Sequence, residues 1–304
     1  MTSKQKIKAL IRSARLRTLP LSLAGVCCGM LLARNSYHCH DLHAALLTLL
    51  LCLTTIGLQL LSNLSNELGD YRNGTDRADR EGPSYGMASG GLTEQDLQRA
   101  VRYMAVLTAI TGLGMIVMAC NTLFSWKALV LVLLGGCAIW ASLHYTLGDN
   151  PYGYRGWGDL FVFIFFGLVA VGGAYYVVSG TLPIRVLLPG AAIGFFSIGV
   201  LNVNNIRDMA SDRATRTTIP IRIGLHRARL YHAALIACGW VALVAYSCLY
   251  ASAGLLPWLY LITTPCYINH TIGVFRRQNR ALDPMLPLLV MSTFATALLF
   301  ALLQ

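Results

Sequence analysis

A chain of 304 residues is long enough for one or two soluble domains. With 56% apolar and only 12% charged residues, against about 25% charged in ordinary soluble domains, it has too little polar surface to cover a soluble globule. The net charge of +11 does not point to nucleic acid, because a binding module of that kind is basic and polar together, whereas these charges only punctuate long apolar blocks.

Lys4, Lys6, Lys8 and Arg12 precede the first block like the basic region of a signal peptide. No small-residue cleavage site follows, so the first span is expected to be retained. Nine apolar blocks then follow, at 18–34, 42–66, 100–120, 124–146, 159–179, 184–206, 228–250, 255–275 and 284–303. Each is close to the roughly 17–25 residues that cross about 30 Å of hydrocarbon as a helix. With the N-terminus placed in the cytoplasm, 21 of the 24 Lys and Arg residues fall on the cytoplasmic side and only Arg34, Lys127 and Arg185 lie opposite. That is the asymmetry expected of a membrane protein. The prediction is an all-α polytopic bundle of about nine transmembrane helices, N-in and C-out, forming one domain over residues 1–304, with a central cavity capped by cytoplasmic loops.

The nine cysteines form no C-x-x-C pair and lie mostly within spans, where a free Cys packs as a small apolar residue. His38, Cys39, His40 and His43 in the first outer loop could bind a metal, but incidental histidines in a short loop explain them better.

Acidic residues carry the chemical signal. One cluster runs through Asn66, Glu67, Asp70, Arg72, Gly74 and Asp76. Asn66 and Asp70 are four apart and share a helix face, and Gly74 lets Asp76 fold back toward them. The second cluster places Asn204, Asp208 and Asp212 at intervals of four at the end of the sixth span. Amide and carboxylate oxygens at this spacing suit Mg²⁺, which takes one or two carboxylates plus substrate phosphates, and polar groups at membrane depth are functional by default. Arg15, Arg17, Arg72, Arg207 and Arg216 share the cytoplasmic side, so a Mg²⁺-bridged diphosphate with its isoprenyl tail in the bilayer is the expected ligand, held by arginine forks.

With these motifs the sequence resembles the UbiA superfamily of intramembrane prenyltransferases. Within it, the chain is most similar to the menaquinone-pathway branch that prenylates 1,4-dihydroxy-2-naphthoate. The resemblance rests on Arg15-Leu-Arg17-Thr-Leu-Pro20, the Asn66 to Asp76 spacing, Tyr145 to Asp159 with Pro151-Tyr152-Gly-Tyr154, and Asn204-Asn205-Ile-Arg207-Asp208-x-x-x-Asp212-Arg213. Glu67 stands where the family usually has Asp, Tyr85 where Arg is expected, and Arg216 near where relatives often carry Gly-Lys. The resemblance implies a multi-pass protein of the cytoplasmic or inner membrane with its active site open to the cytoplasm. It also implies polyprenyl diphosphate as donor, 1,4-dihydroxy-2-naphthoate as acceptor, and two Mg²⁺ ions held by Asn66, Glu67, Asp70, Asp76, Asn204, Asp208 and Asp212. Asp70 and Asp208 are the expected catalytic ligands, and Tyr145 could stabilise the allylic cation through its ring face. Arg155 and Asp159 could orient the acceptor. Arg207 is expected to turn away from the Asn204, Asp208 and Asp212 line, toward the diphosphate. Rival readings are another aromatic acceptor (4-hydroxybenzoate or homogentisate), a divalent-cation transporter, and a non-catalytic quinone-binding protein.

Overall fold

The computed structural model describes residues 3–37, 42–75, 85–87 and 89–304. Asp76 and the His38, Cys39 and His40 group lie outside the described residues. Among those described, every regular element is helical.

Helix α1, Ser3–Ser13, ends at Arg15, whose left-handed backbone (φ 49°) turns the chain into a short 3-10 turn, Leu16–Thr18. Helix α2 is Leu19–Tyr37. Helix α3, Leu42–Arg72, has 31 residues, about eleven more than a crossing requires, so its last turns carry Asn66 and Asp70 to the edge of the apolar layer. Helix α4, Glu94–Cys120, begins with a capping box in which Thr93 and Asp96 satisfy each other's backbone N–H groups. Helix α5 is Trp126–His144. Helix α6, Gly158–Ser179, contains a π-helical stretch, Phe163–Val169. Helix α7 is Leu187–Arg207, α8 is Leu225–Tyr250, α9 is Thr264–Arg276 and α10 is Met285–Leu303.

Eight helices among the described residues are long and apolar enough to span a membrane. The ninth predicted block, 255–275, is also helical, as a 3-10 segment Leu256–Thr263 running into α9. Its apolarity is interrupted by Asn269 and His270, and His270 is fully buried, its Nε2 2.9 Å from Nε2 of His232 on α8. One ring nitrogen of each histidine is thus paired inside the bundle, where polar groups are costly.

Helices in a membrane associate through close packing, since lipid tails are as apolar as the side chains. Glycines provide it here. A Cβ at Gly29 of α2 would lie 2.1 Å from the Val171 carbonyl oxygen of α6, and one at Gly167 of α6 would lie 2.5 Å from that of Gly190 on α7. The span ending in α7 is the most buried of the eight, and its last turn lines the same cavity as the end of α3.

Candidate active site

On α3, Gln59, Asn63, Asn66 and Asp70 form one polar stripe, at intervals of three and four residues, along a cavity of about 550 Å³. The deeper half of this stripe, Gln59 and Asn63, holds the elbow between α1 and α2. Asn63 Nδ2 donates to the Ala14 carbonyl at 2.8 Å and to Thr18 Oγ1 at 3.0 Å. Gln59 Nε2 also donates to Thr18, and Ser22 Oγ donates to Gln59 Oε1. The strained Arg15 backbone is thereby fixed, and both Arg15 and Arg17 reach the cavity mouth. The Arg15 guanidinium lies 4.0 Å from the Tyr85 ring centroid, and its Nε and Nη2 are buried with no hydrogen-bond partner among the described residues. Arg17 donates to the Tyr85 hydroxyl at 3.2 Å.

Asp70 accepts from the Tyr154 hydroxyl at 2.8 Å and from Arg216 Nη2 at 2.9 Å. Burial and the Asp70 charge push the Tyr154 phenol up from its ordinary value, so it remains a donor at neutral pH. Arg216 lies over the Tyr154 ring, 4.9 Å from its centroid, and its Nε is 3.5 Å from Asp212. A single guanidinium thus joins the two predicted acidic clusters, reaching Asp70 from 146 residues away in sequence. Asn66, Asp70, Asn204 and Arg216 all line the cavity.

Several expectations need correction. Arg207 does not turn away from the acidic line. Its Nε and Nη2 grip both oxygens of Asp208 at 2.8 and 2.7 Å, Nη2 also donates to Asn204, and Nη1 donates to Asp283 at 2.9 Å. Helix α7 ends at Arg207, and Asp208 leaves helical geometry (φ −91°, ψ 8°), so helical spacing no longer separates the pair. A guanidinium only 2% exposed also requires anionic partners. Glu67 points away from the cavity, because consecutive helix residues are about 100° apart, and its carboxylate accepts from the Met87 backbone N–H at 2.7 Å. It pins the loop carrying Tyr85. Arg72, at the exposed end of α3, pairs with Glu94 at 2.8 Å. Arg155 is exposed, and its carbonyl accepts from Arg222 at 2.8 Å. Asp159 accepts from the Tyr231 hydroxyl at 2.8 Å and so ties the start of α6 to α8. None of Glu67, Arg72, Arg155, Asp159, Arg207, Asp208 or Asp212 lies on the cavity wall.

Tyr145 does line the cavity. It caps α5, packs edge-on against Tyr152 with ring centroids 5.4 Å apart, and its phenol lies within electrostatic range of Arg216, Asp159, Asp70 and Asp212. Gln59, Asn63 and Thr146 on the cavity wall are the functional neighbours that the sequence motifs did not single out, and Tyr154, which stands within a motif but without a role there, donates to Asp70. The signal for the first two was available: amide side chains at lipid depth on the Asn66 and Asp70 face.

The oxygen-rich set of Asn66, Asp70, Asn204, Asp208 and Asp212 fits a hard divalent cation in donor chemistry. Among the described residues no three acidic, His or Cys side chains converge closely enough to hold a metal by themselves. The buried carboxylates are instead matched by Arg207 and Arg216. A cation here would take part of its coordination from a phosphate ligand, as Mg²⁺ commonly does.

The cavity changes character with depth. Its mouth is lined by Arg15, Arg17, Asp70 and Arg216, and its far end by Val26, Leu51, Met115 and Leu131. A charged head with a long apolar tail fits this gradient.

Comparison with known proteins agrees. The chain is 39% identical to the 1,4-dihydroxy-2-naphthoate octaprenyltransferase of Escherichia coli, over 99% of this chain and 97% of that protein. It is 34% identical to the Haemophilus influenzae protein of the same name, over 98% and 96%. A solved UbiA homologue from Aeropyrum pernix, in its apo form, shares the fold with a TM-score of 0.68 at 17% identity, covering 93% of this chain and 96% of that one. The model of the UbiA prenyltransferase family matches residues 22–301, and the chain belongs to that family.

Proposed function

We propose that this membrane prenyltransferase transfers a polyprenyl chain from polyprenyl diphosphate to 1,4-dihydroxy-2-naphthoate, releasing diphosphate and CO₂ and giving demethylmenaquinol, the reduced form of demethylmenaquinone. The observation that carries this proposal is the near full-length similarity to two proteins bearing that activity in their names. The cavity supports it, with cations at the mouth and apolar walls below. The whole chain acts as one domain, in a multi-pass membrane setting, with the mouth on the cytoplasmic side.

Arg15 and Arg17 bind the donor diphosphate, and Arg15 has buried donor atoms without partners among the described residues to offer. Arg216 bridges the two acidic clusters and adds positive charge where the leaving group develops negative charge, an electrostatic contribution made in advance of the reaction. Asn66, Asp70, Asn204, Asp208 and Asp212 would hold Mg²⁺, two ions by the doubled motif. The bound metal supplies charge neutralisation on the departing diphosphate. The Tyr145 ring, on the cavity wall, would stabilise the electron-poor allylic carbon through its π face. The apolar walls exclude water from that carbon. The acceptor ring attacks through the carbon bearing its carboxylate, so the C–CO₂ bond breaks, its electron pair restores aromaticity, and no base is needed for that step.

Purified protein in lipid nanodiscs, given octaprenyl diphosphate, Mg²⁺ and 1,4-dihydroxy-2-naphthoate carrying ¹⁴C in its carboxylate, should release labelled CO₂ and diphosphate in equal amounts. Turnover of 4-hydroxybenzoate in place of the naphthoate, or prenylation with the label retained, would overturn the acceptor assignment.

A further inference from the structure

The glycines of the bundle are of two kinds. Those at helix crossings, such as Gly25, Gly29 and Gly167, leave no room for a side chain, since an added Cβ would sit 2.1 to 2.7 Å from a neighbouring backbone oxygen. Gly135 on α5 and Gly173 on α6 are different. Both line the cavity, and an added Cβ at either would meet nothing within 4 Å. Helix packing does not require them to be glycine, and a glycine within a helix costs about 1 kcal/mol relative to alanine. What they leave open is cavity volume.

Their depths follow from helix geometry. Gly158, whose added Cβ would lie 3.2 Å from the Tyr145 hydroxyl, sets the level of the reacting centre on α6, and Tyr145 sets it on α5. At 1.5 Å per residue, Gly135 lies about 15 Å below that level and Gly173 roughly 20 Å below it. Beyond them the cavity runs on between Val26, Leu51, Met115, Ile116, Leu131 and Val177, apolar residues of one packed cluster. An extended isoprene unit, with four chain carbons joined by ordinary C–C bonds, spans about 5 Å. Two units end above Gly135, three reach it, and longer tails must pass it and then Gly173.

We infer that Gly135 and Gly173 are successive gauges of prenyl chain length, each held at zero side-chain volume so that a long polyprenyl tail can run down the cavity past it. The inference rests on the prenyl-transfer function proposed above and identifies residues that select the donor within it. A leucine at either position fills the passage, and the overlap it forces on a passing tail is of the kind that destabilises an overfilled core.

The test uses the full chain in nanodiscs with geranyl, farnesyl, geranylgeranyl and octaprenyl diphosphates, each assayed with the naphthoate acceptor and read by mass spectrometry of the products. Gly135→Leu should keep geranyl transfer within about twofold of the unaltered protein and lose octaprenyl transfer by about tenfold or more. Gly173→Leu should spare farnesyl as well and lose only the longer donors. Gly135→Ala and Gly173→Ala, which add one carbon into open space, should fold like the parent and leave the donor profile unchanged, and they serve as the comparison if a leucine variant does not insert. Equal loss with all four donors would overturn the inference, as would an unchanged profile in both leucine variants or the same cut-off in each. Failure of the unaltered protein to turn over any donor would instead overturn the proposed function.

Discussion

Replacing Arg216 with Gln removes the guanidinium that joins Asp70 to Asp212 and covers the Tyr154 ring. Asp70 is 2% exposed and Asp212 2% exposed, so bulk water compensates neither. Removing one partner of a buried ion pair costs about 3–5 kcal/mol. The longer Asp212 contact, at 3.5 Å, and the Tyr154 hydroxyl that stays on Asp70 place the expected loss at the lower end, about 3 kcal/mol. At about 2 °C per kcal/mol for a chain of this size, the thermal midpoint of the protein in detergent should fall by roughly 6 °C. Addition of Mg²⁺ should then stabilise Arg216→Gln more than it stabilises the parent, because the cation takes the place of the missing guanidinium between the carboxylates. The measurement is a pair of melting curves for each protein, with and without Mg²⁺. A midpoint within about 1 °C of the parent, or equal Mg²⁺ shifts in the two proteins, would refute the bridging role of Arg216.

Three further outcomes are expected. Asp70→Ala should reduce turnover by about a hundredfold or more, as loss of a charge-stabilising group typically does, with insertion unchanged, and EDTA should abolish activity of the parent; survival of either activity contradicts the proposed metal site. Arg207→Lys should lower the thermal midpoint rather than act first on the donor KM, since a lysine cannot reproduce the two-pronged grip on Asp208; a raised donor KM at unchanged stability would return Arg207 to direct substrate binding. Single cysteines at Asn73 and Arg213 should both react with an impermeant maleimide from the cytoplasmic side only, and labelling from opposite sides would break the proposed topology.

Much of this protein was legible in its sequence. The apolar blocks dictate membrane helices because hydrocarbon leaves a backbone few other ways to satisfy its hydrogen bonds, and the Asn66/Asp70 and Asn204/Asp208 spacings mark two helix ends because i,i+4 residues share a face. Helical periodicity alone also separates Asn66 and Asp70 from Glu67, which lies about 100° around α3. What spacing could not supply was the pairing across helices. Arg207, inside the second motif, and Arg216, just after it, carry the same charge, yet one is locked on Asp208 and Asp283 while the other reaches Asp70 on α3. Nor does a sequence distinguish Gly29, crushed against α6, from Gly135, open to the cavity. Local propensities and burial patterns act along one helix and can be read from it, whereas the partner of a buried charge, and the space beside a glycine, depend on which surfaces the packed helices bring together.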